Sequence, residues 1–124
     1  ILIIEDNKDT AESARLLLAA EGYEVETTYN GSDGLNVAQA FKPHVILCDI
    51  GLPGMDGYQV AQSIRRDALL SNIYVIALTG YGRDEDQLAA RKAGFDLHMT
   101  KPIDYNLLKR ALANFPTRLS VESA

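Results

Sequence analysis

The sequence predicts an α/β fold: one domain with a parallel five-stranded sheet and helices on both of its faces. Two observations support this prediction. Three stretches, residues 1–4, 45–48 and 73–78, are almost wholly apolar, which is typical of strands buried on both faces. Segments with helical periodicity separate the candidate strands at the spacing of βαβ units. The alternation therefore indicates parallel strands joined by right-handed crossover helices.

The helices are predicted from capping residues, periodic apolar positions and breakers. The predicted starts, in chain order, are Asn7 or Lys8, residues 30–32, residues 56–57, about Arg83, and Asp104. The predicted ends are Gly22, Pro43, Gly94 and Pro116. The residues expected to face the core are Ala11, Ala14, Leu17, Leu18, Leu35, Ala38, Phe41, Val60, Ala61, Ile64, Leu107, Leu108, Ala111 and Leu112.

The remaining two strands are less apolar than the first three. Residues 23–28 alternate between polar and apolar, and residues 95–99 contain Asp96 and His98, so both segments are expected at sheet edges. Few strand orders place the apolar strands inside and these two outside. The common one is the flavodoxin-like order 2-1-3-4-5 of a three-layer sandwich, in which ligands bind beyond the carboxyl ends of the strands.

Composition limits the classes of protein to consider. The 124 residues are one domain's length, with 47% hydrophobic and 23% charged residues, as in an ordinary globular protein. The net charge of −5 argues against direct nucleic-acid binding. The single cysteine, Cys48, fits a cytoplasmic location. No apolar run is long enough to cross a membrane, so we expect no membrane contact by this segment, although a parent chain could be membrane-anchored.

The predicted domain covers residues 1–115. Residues 116–124 have little to bury and are interpreted as a C-terminal tail or the start of a linker. The chain begins at Ile1, inside a predicted strand and without an initiator Met. We therefore expect it to be a piece of a longer protein.

Acidic residues follow two of the inner strands. Glu5 and Asp6 end the first, and Asp49 ends the third. The predicted strand order brings all three to one edge of the sheet, where a cation would relieve their repulsion. Oxygen ligands select hard cations, which predicts a Mg²⁺ site, with Mn²⁺ as an alternative. Taken singly, Asp49 is equally well explained as a turn former or helix cap, and Glu5-Asp6 is better explained as an acidic pair at a helix start.

Groups that could bind a phosphate follow the other strands at the same edge. Thr79 offers a hydroxyl, Gly80 an accessible N–H, and Lys101 a mobile ammonium. Such donors around a carboxylate and a metal are suited to an acyl-phosphate. Alone, Thr79 would be interpreted as a cap and Lys101 as a solvated charge. The joint pattern favours phosphoryl chemistry, because every inner strand then ends in a group that can bind a phosphate or a metal ion at the same edge.

These motifs resemble those of response-regulator receiver domains, over residues 1–115. The matching residues are Glu5-Asp6-Asn7, Asp49 with the run 52–57 (Leu-Pro-Gly-Met-Asp-Gly), Leu78-Thr79-Gly80 and Lys101-Pro102. The run 51–58 is most similar to receivers of hybrid sensor histidine kinases. The resemblance implies a two-component phosphoacceptor rather than an enzyme, one that assists its own phosphorylation and dephosphorylation.

The resemblance also implies a role for each site residue. Asp49 would accept a phosphoryl group from the phosphohistidine of a histidine kinase or histidine phosphotransfer domain. Asp6, Asp49 and the Gly51 carbonyl would hold Mg²⁺, with Glu5 acting through water. Phosphoryl oxygens would be held by Thr79, Lys101 and the backbone N–H groups of Gly51 and Gly80. The Lys101–Pro102 bond would be cis.

The implied switch joins the phosphorylation site to a protein-binding face. Thr79 would shift toward the phosphate and residue 98 would rotate behind it. The face formed by the fourth helix, fifth strand and fifth helix would then change its affinity for an output domain or for a second copy of the chain. The family usually has Tyr or Phe where this chain has His98, so we hypothesise a weaker or pH-sensitive switch. A solvent-facing edge-strand histidine is the alternative. Tyr81 and Gly51 match positions that tune phosphoryl lifetime.

Other functions fit the sequence less well. A stand-alone or output-fused response regulator is the nearest alternative, followed by a degenerate receiver used only for protein binding. A flavin-binding module would need phosphate donors where residues 5–6 are acidic. An aspartate-nucleophile phosphatase would need a second acid at Gly51.

Overall fold

The computed structural model describes residues 1–80 and 84–123, with side chains for residues 1–80 and 85–114, and in these ranges five strands alternate with five helices. The strands are β1 (Leu2–Ile4), β2 (Glu26–Thr28), β3 (Val45–Asp49), β4 (Tyr74–Thr79) and β5 (Leu97–Thr100). The helices are α1 (Lys8–Ala20), α2 (Gly31–Phe41), α3 (Gly57–Arg66), α4 (Asp84–Ala93) and α5 (Tyr105–Ser123).

All the strand pairs are parallel, and the sheet has the predicted order β2-β1-β3-β4-β5. β1 and β3 are buried along their whole length, whereas β2 and β5 each contain a single buried residue, Thr28 and Met99. The apolar content of a strand therefore predicted its place in the sheet, because only inner strands are covered on both faces.

Two apolar layers sandwich the sheet. Alternate residues of each strand point to opposite faces, so Ile4 belongs to the apolar layer that includes residues of α2, α3 and α4, while Ile3 belongs to the layer that includes residues of α1 and α5. Asn7 and Asp56 cap α1 and α3, their side-chain oxygens accepting from backbone N–H groups at 3.0 and 2.9 Å. The predicted three-layer sandwich is confirmed.

Four boundaries or orientations differ from the expectation. Leu17 and Leu107 are each 49% exposed, whereas the next residues, Leu18 and Leu108, pack inward. Successive helix positions differ by about 100° of rotation, so only one leucine of each pair can face the core. β2 is shorter than predicted because β1 offers only three pairing residues. α5 continues through Pro116 to Ser123, so this proline does not end the helix. A proline removes one hydrogen bond from a helix, and the later turns keep their own.

Two further predictions concern other parts of the chain. The predicted helix start at Arg83 lies outside the described residues, where α4 is assigned from Asp84. Asp104 does start α5, and its Oδ1 accepts from the N–H groups of Asn106 and Leu107 at 3.0 and 3.2 Å. Within the described ranges, no helix has the length and apolar character needed to cross a membrane.

Candidate functional site

The three acidic residues predicted to meet lie together at the carboxyl edge of the sheet. Ile4 pairs with Cys48, so the residues that follow β1 and Asp49 at the end of β3 are neighbours. One carboxylate oxygen from each of Glu5, Asp6 and Asp49 lies within 4.8 Å of the others. Asp6 is exposed to solvent, whereas Glu5 and Asp49 are buried. The cluster is therefore open on the Asp6 side.

Lys101 joins this cluster from the opposite end of the chain. Its Nζ donates to Glu5 Oε1 at 2.7 Å and lies 3.0 Å from Asp49 Oδ2. Its backbone N–H donates to Thr79 O at 2.7 Å, which fixes the start of the loop after β5. The Lys101–Pro102 peptide bond is cis, as predicted. One ammonium thus bridges two buried carboxylates.

Backbone N–H groups hold the remaining oxygens of the two buried acids. Gly51 N–H donates to Asp49 Oδ1 at 3.0 Å, and Asn7 N–H donates to Glu5 Oε2 at 3.1 Å. The resemblance implies that the Gly51 N–H binds a phosphoryl oxygen, and in this structure the same N–H orients the Asp49 carboxylate. Both Asp49 oxygens therefore have a donor.

The pKa values of these groups follow from burial and pairing. Burial raises the pKa of Glu5, an effect that Lys101 and the Asn7 N–H only partly offset. Burial also opposes ionisation of Asp49, but Lys101 and the Gly51 N–H outweigh it and lower the pKa of Asp49. The two carboxylates raise the pKa of Lys101 despite its partial burial. The lowered pKa of Asp49 favours its ionised form, which a nucleophile requires.

The other predicted site residues lie around this centre. Thr79 ends β4, one residue beyond Leu78, which pairs with Asp49. Gly80 is exposed, and a Cβ there would meet nothing within 4 Å. Tyr81 lies outside the described residues. The roles assigned to Thr79, Gly80 and Gly51 stay predictions.

His98 of β5 pairs with Ala77 of β4, so the two side chains lie on the same face of the sheet. Its Nε2 is buried and has no hydrogen-bond partner among the described residues. It lines a cavity of about 190 Å³ together with Arg91 and Asp96. The alternative of a solvent-facing histidine is wrong for this nitrogen, because α4 covers that face of β5.

Comparison with known proteins identifies the fold's family. The family model of the response regulator receiver domain matches residues 1–113. The chain belongs to this family. The polar-differentiation response regulator DivK of Brucella anthropi is 36% identical over 103 residues, which are 83% of this chain and 84% of DivK.

Solved receiver structures superpose closely on this receiver domain. The signal receiver domain of a histidine kinase from Syntrophus aciditrophicus is 29% identical, with a TM-score of 0.84 over 92% of this chain and 86% of that one. The receiver of a DNA-binding response regulator from Colwellia psychrerythraea is also 29% identical, with a TM-score of 0.87 over 94% and 96%. The predicted family and flavodoxin-like fold are confirmed, and the domain functions in two-component signalling.

The acid cluster of the receiver domain has the chemistry of a divalent-cation site. Its donors are all carboxylate oxygens, which hard cations such as Mg²⁺ prefer, and Asp6 leaves one side open to water. Burial of Glu5 and Asp49 makes their negative charge costly without a cation. The cluster could therefore hold a metal ion, with Lys101 as the cation that the chain itself supplies.

Gly57 lets α3 approach the backbone that carries Asp49, a role that its place in the sequence does not reveal. Its N–H donates to Ile50 O at 3.0 Å, and a Cβ at this position would lie 2.6 Å from Asp49 O and from Ile50 Cα. The N-terminus of α3 therefore packs directly against the backbone of Asp49. The only available signal was the pair Asp56-Gly57, which we interpreted as a helix start.

Proposed function

We propose that this receiver domain accepts a phosphoryl group on Asp49 from a phosphohistidine of a histidine kinase or histidine phosphotransfer domain. The observation behind the proposal is the pairing of Asp49 Oδ2 with Lys101 Nζ at 3.0 Å, next to Glu5 and Asp6. A buried, ionised carboxylate beside a mobile cation is suited to attack on phosphorus and to holding the product.

The transfer exchanges one bond to phosphorus for another. A carboxylate oxygen of Asp49 forms the new P–O bond while the P–N bond to the donor imidazole breaks. The electron pair of that bond stays on the imidazole nitrogen, which takes up a proton. Charge then accumulates on the phosphoryl oxygens, where the Lys101 ammonium and the Thr79 hydroxyl would bind them.

A Mg²⁺ ion would be held by Asp6, Asp49 and the Gly51 carbonyl, with Glu5 acting through water, and would neutralise charge on the phosphoryl oxygens. Mn²⁺ is expected to substitute. The chain's own part is to orient Asp49 through the Gly51 N–H and to keep Lys101 within reach. The domain would assist its own phosphorylation and dephosphorylation without acting as an enzyme on free substrates.

Phosphorylation would act on the face formed by α4, β5 and α5. The added phosphate carries about −1.5 to −2 charge and three acceptor oxygens, which can recruit Thr79 and Lys101. Lys101 would then exchange its bond to Glu5 for bonds to phosphate. Because Lys101 N–H is bonded to Thr79 O, both residues can respond together. Output domains or a second copy of the chain would sense the altered face.

We further propose that the domain is a module of a hybrid histidine kinase. The similarity to the Syntrophus aciditrophicus histidine kinase receiver supports this origin. The similarity to DivK favours the alternative, a stand-alone response regulator. The reading frame that encodes this segment distinguishes the two, since a kinase core in the same frame would support the first and its absence would favour the second.

The phosphoacceptor proposal is tested by intact-mass spectrometry. The domain is incubated with Mg²⁺ and acetyl phosphate, and one phosphate adduct is expected. Asp49→Asn should remove the adduct, whereas Asp33→Asn, at an exposed acid on α2, should keep it. An unmodified wild type, also after incubation with a phosphorylated histidine kinase, would favour a degenerate receiver that only binds proteins.

A further inference from the structure

A guanidinium at the far end of the sheet joins three separate backbone segments. Arg65, in the last turn of α3, donates from Nη1 to Ser71 O at 2.8 Å and to Ile73 O at 2.7 Å. Its Nε donates to Gly94 O at 2.8 Å. Its Nη2 donates to Asp96 Oδ2 at 2.6 Å. The Arg65 clamp, as we call these four bonds, ties α3 to the segments that enter β4 and β5.

Asp96 extends this clamp into the sheet. Its N–H donates to Val75 O at 2.8 Å, and its Oδ2 accepts from Val75 N–H at 2.9 Å. This reciprocal pair lies one residue before the β4–β5 ladder begins at Ile76 and Leu97. The Arg65 clamp and Asp96 therefore determine where β5 starts relative to β4.

The path of the Arg65 side chain requires a glycine at position 94. Gly94 has φ +115°, and a Cβ there would lie 2.6 Å from Arg65 Cγ. A glycine is thus needed both for the backbone conformation and for the passage of the arginine side chain. The side chains of Arg65 and Asp96 are 26% and 33% exposed, so water screens their ion pair only in part.

β5 needs such a clamp because its own sequence specifies register weakly. It is an edge strand of four residues, and only Met99 is buried. A strand with so little apolar contrast gains little from one register over the next, although a one-residue slip would send every side chain to the opposite face. Its other end is fixed by the bond from Lys101 N–H to Thr79 O at 2.7 Å. A slip would therefore displace Lys101.

We propose that Arg65 and Asp96 are positioning residues for Lys101, setting the β5 register that carries its ammonium to Asp49. The effect would act along β5, over about 16 Å from Asp96 to Lys101, with no contact between the clamp and the phosphoryl group. This inference rests on the proposed function only for its consequence in phosphorylation. Its structural claim, that the clamp holds Lys101 in place, is independent.

The first test measures how well the Lys101 N–H is protected from exchange, and it needs no phosphorylation. Amide hydrogen exchange is followed by NMR in the wild type, in Arg65→Gln and in Arg66→Gln, with β3 amides as the internal reference for global unfolding. Arg66 is exposed, and its side chain makes no hydrogen bond or ion pair within the described part of the chain, so it is a matched control. In Arg65→Gln we expect the exchange rate of the Lys101 N–H, divided by that of the β3 amides, to rise about tenfold over its wild-type value. In Arg66→Gln this ratio should stay at the wild-type value. Unchanged relative exchange would overturn the proposal.

The second test is a double-mutant cycle on the phosphorylation rate from acetyl phosphate. Arg65→Gln should slow phosphorylation about tenfold when Lys101 is present and less than twofold in Lys101→Ala. Equal slowing in both backgrounds would mean general destabilisation and would overturn the proposal. Asp96→Asn provides a second variant if Arg65→Gln does not fold, and Arg65→Lys should rescue little, since one ammonium cannot reach all four acceptors. A wild type that takes no phosphate refutes the proposed function, while the exchange test still decides the positioning role.

Discussion

Glu5 and Lys101 are 96 positions apart in the chain, yet the Lys101 ammonium donates to Glu5 Oε1 at 2.7 Å, inside a site where Glu5 is 1% exposed. The same ammonium lies 3.0 Å from Asp49. The cation therefore stabilises two buried carboxylates at once. This arrangement links the stability of the receiver domain to the chemistry proposed for it.

Removing the ammonium should destabilise the fold in a pH-dependent way. We expect Lys101→Met to lower the free energy of unfolding at pH 8 by about 1–3 kcal/mol, because Glu5 keeps a buried charge without its partner. The pKa of Glu5 is raised in the folded state, so protonation relieves this charge as the pH falls. The deficit should be smaller at pH 5 than at pH 8, as measured by urea denaturation.

Lys109→Met is the matched control for that measurement. Lys109 Nζ pairs with Glu21 Oε1 at 2.9 Å, but both side chains are nearly half exposed. Solvent screens such a pair, so a loss of about 0.5 kcal/mol or less is expected. If both lysine variants lose the same free energy, then burial of Glu5 does not govern the effect.

Mg²⁺ should stabilise the domain through the acid cluster. At a free concentration ten times its Kd, a ligand that binds only the folded state adds about 1.4 kcal/mol. For a domain of this size this raises Tm by about 3–6 °C. We expect the shift in the wild type and in Asp33→Asn, and a clearly smaller one in Asp6→Asn. An undiminished shift in Asp6→Asn would place the ion elsewhere.

Gly57→Ala should be destabilising although alanine is the better helix former. The new Cβ would lie 2.6 Å from Asp49 O and Ile50 Cα, which are backbone atoms that cannot rotate away. We expect a loss of about 1–3 kcal/mol in urea denaturation, together with slower phosphorylation, because the backbone of Asp49 must shift. Gly80→Ala meets no atom within 4 Å and should change stability little. Equal stability of the two variants would contradict the packing argument.

His98 should weaken the response to phosphorylation. It lines a cavity with Arg91 and Asp96, and its buried Nε2 has no hydrogen-bond partner among the described residues. A tyrosine would bring a longer side chain and an O–H donor to this position. We expect the phosphorylation-induced change in amide exchange over α4, β5 and α5 to be smaller in the wild type than in His98→Tyr. The hypothesis is abandoned if the two proteins show equal changes.

Local signals in the amino-acid sequence were enough to predict the succession of strands and helices, the strand order and the edge at which the acids meet. Local signals were sufficient here: apolar runs for β1, β3 and β4, and capping side chains such as Asn7 and Asp56. Burial on two faces requires apolar strands, so composition sorted inner strands from outer ones. The carboxyl ends of parallel strands share one edge, so Glu5, Asp6 and Asp49 had to meet.

Which polar groups pair at that edge, and how they are held, depends on contacts between elements that are distant in the chain. The bond from Lys101 to Glu5, the contact of Gly57 with Asp49 and the four bonds of Arg65 join residues on different elements. The outward orientation of Leu17 was likewise decided by which side of α1 meets the sheet. Periodicity reports only on neighbours within one element. Pairing between elements depends on register and helix rotation, which are fixed when the whole core packs together.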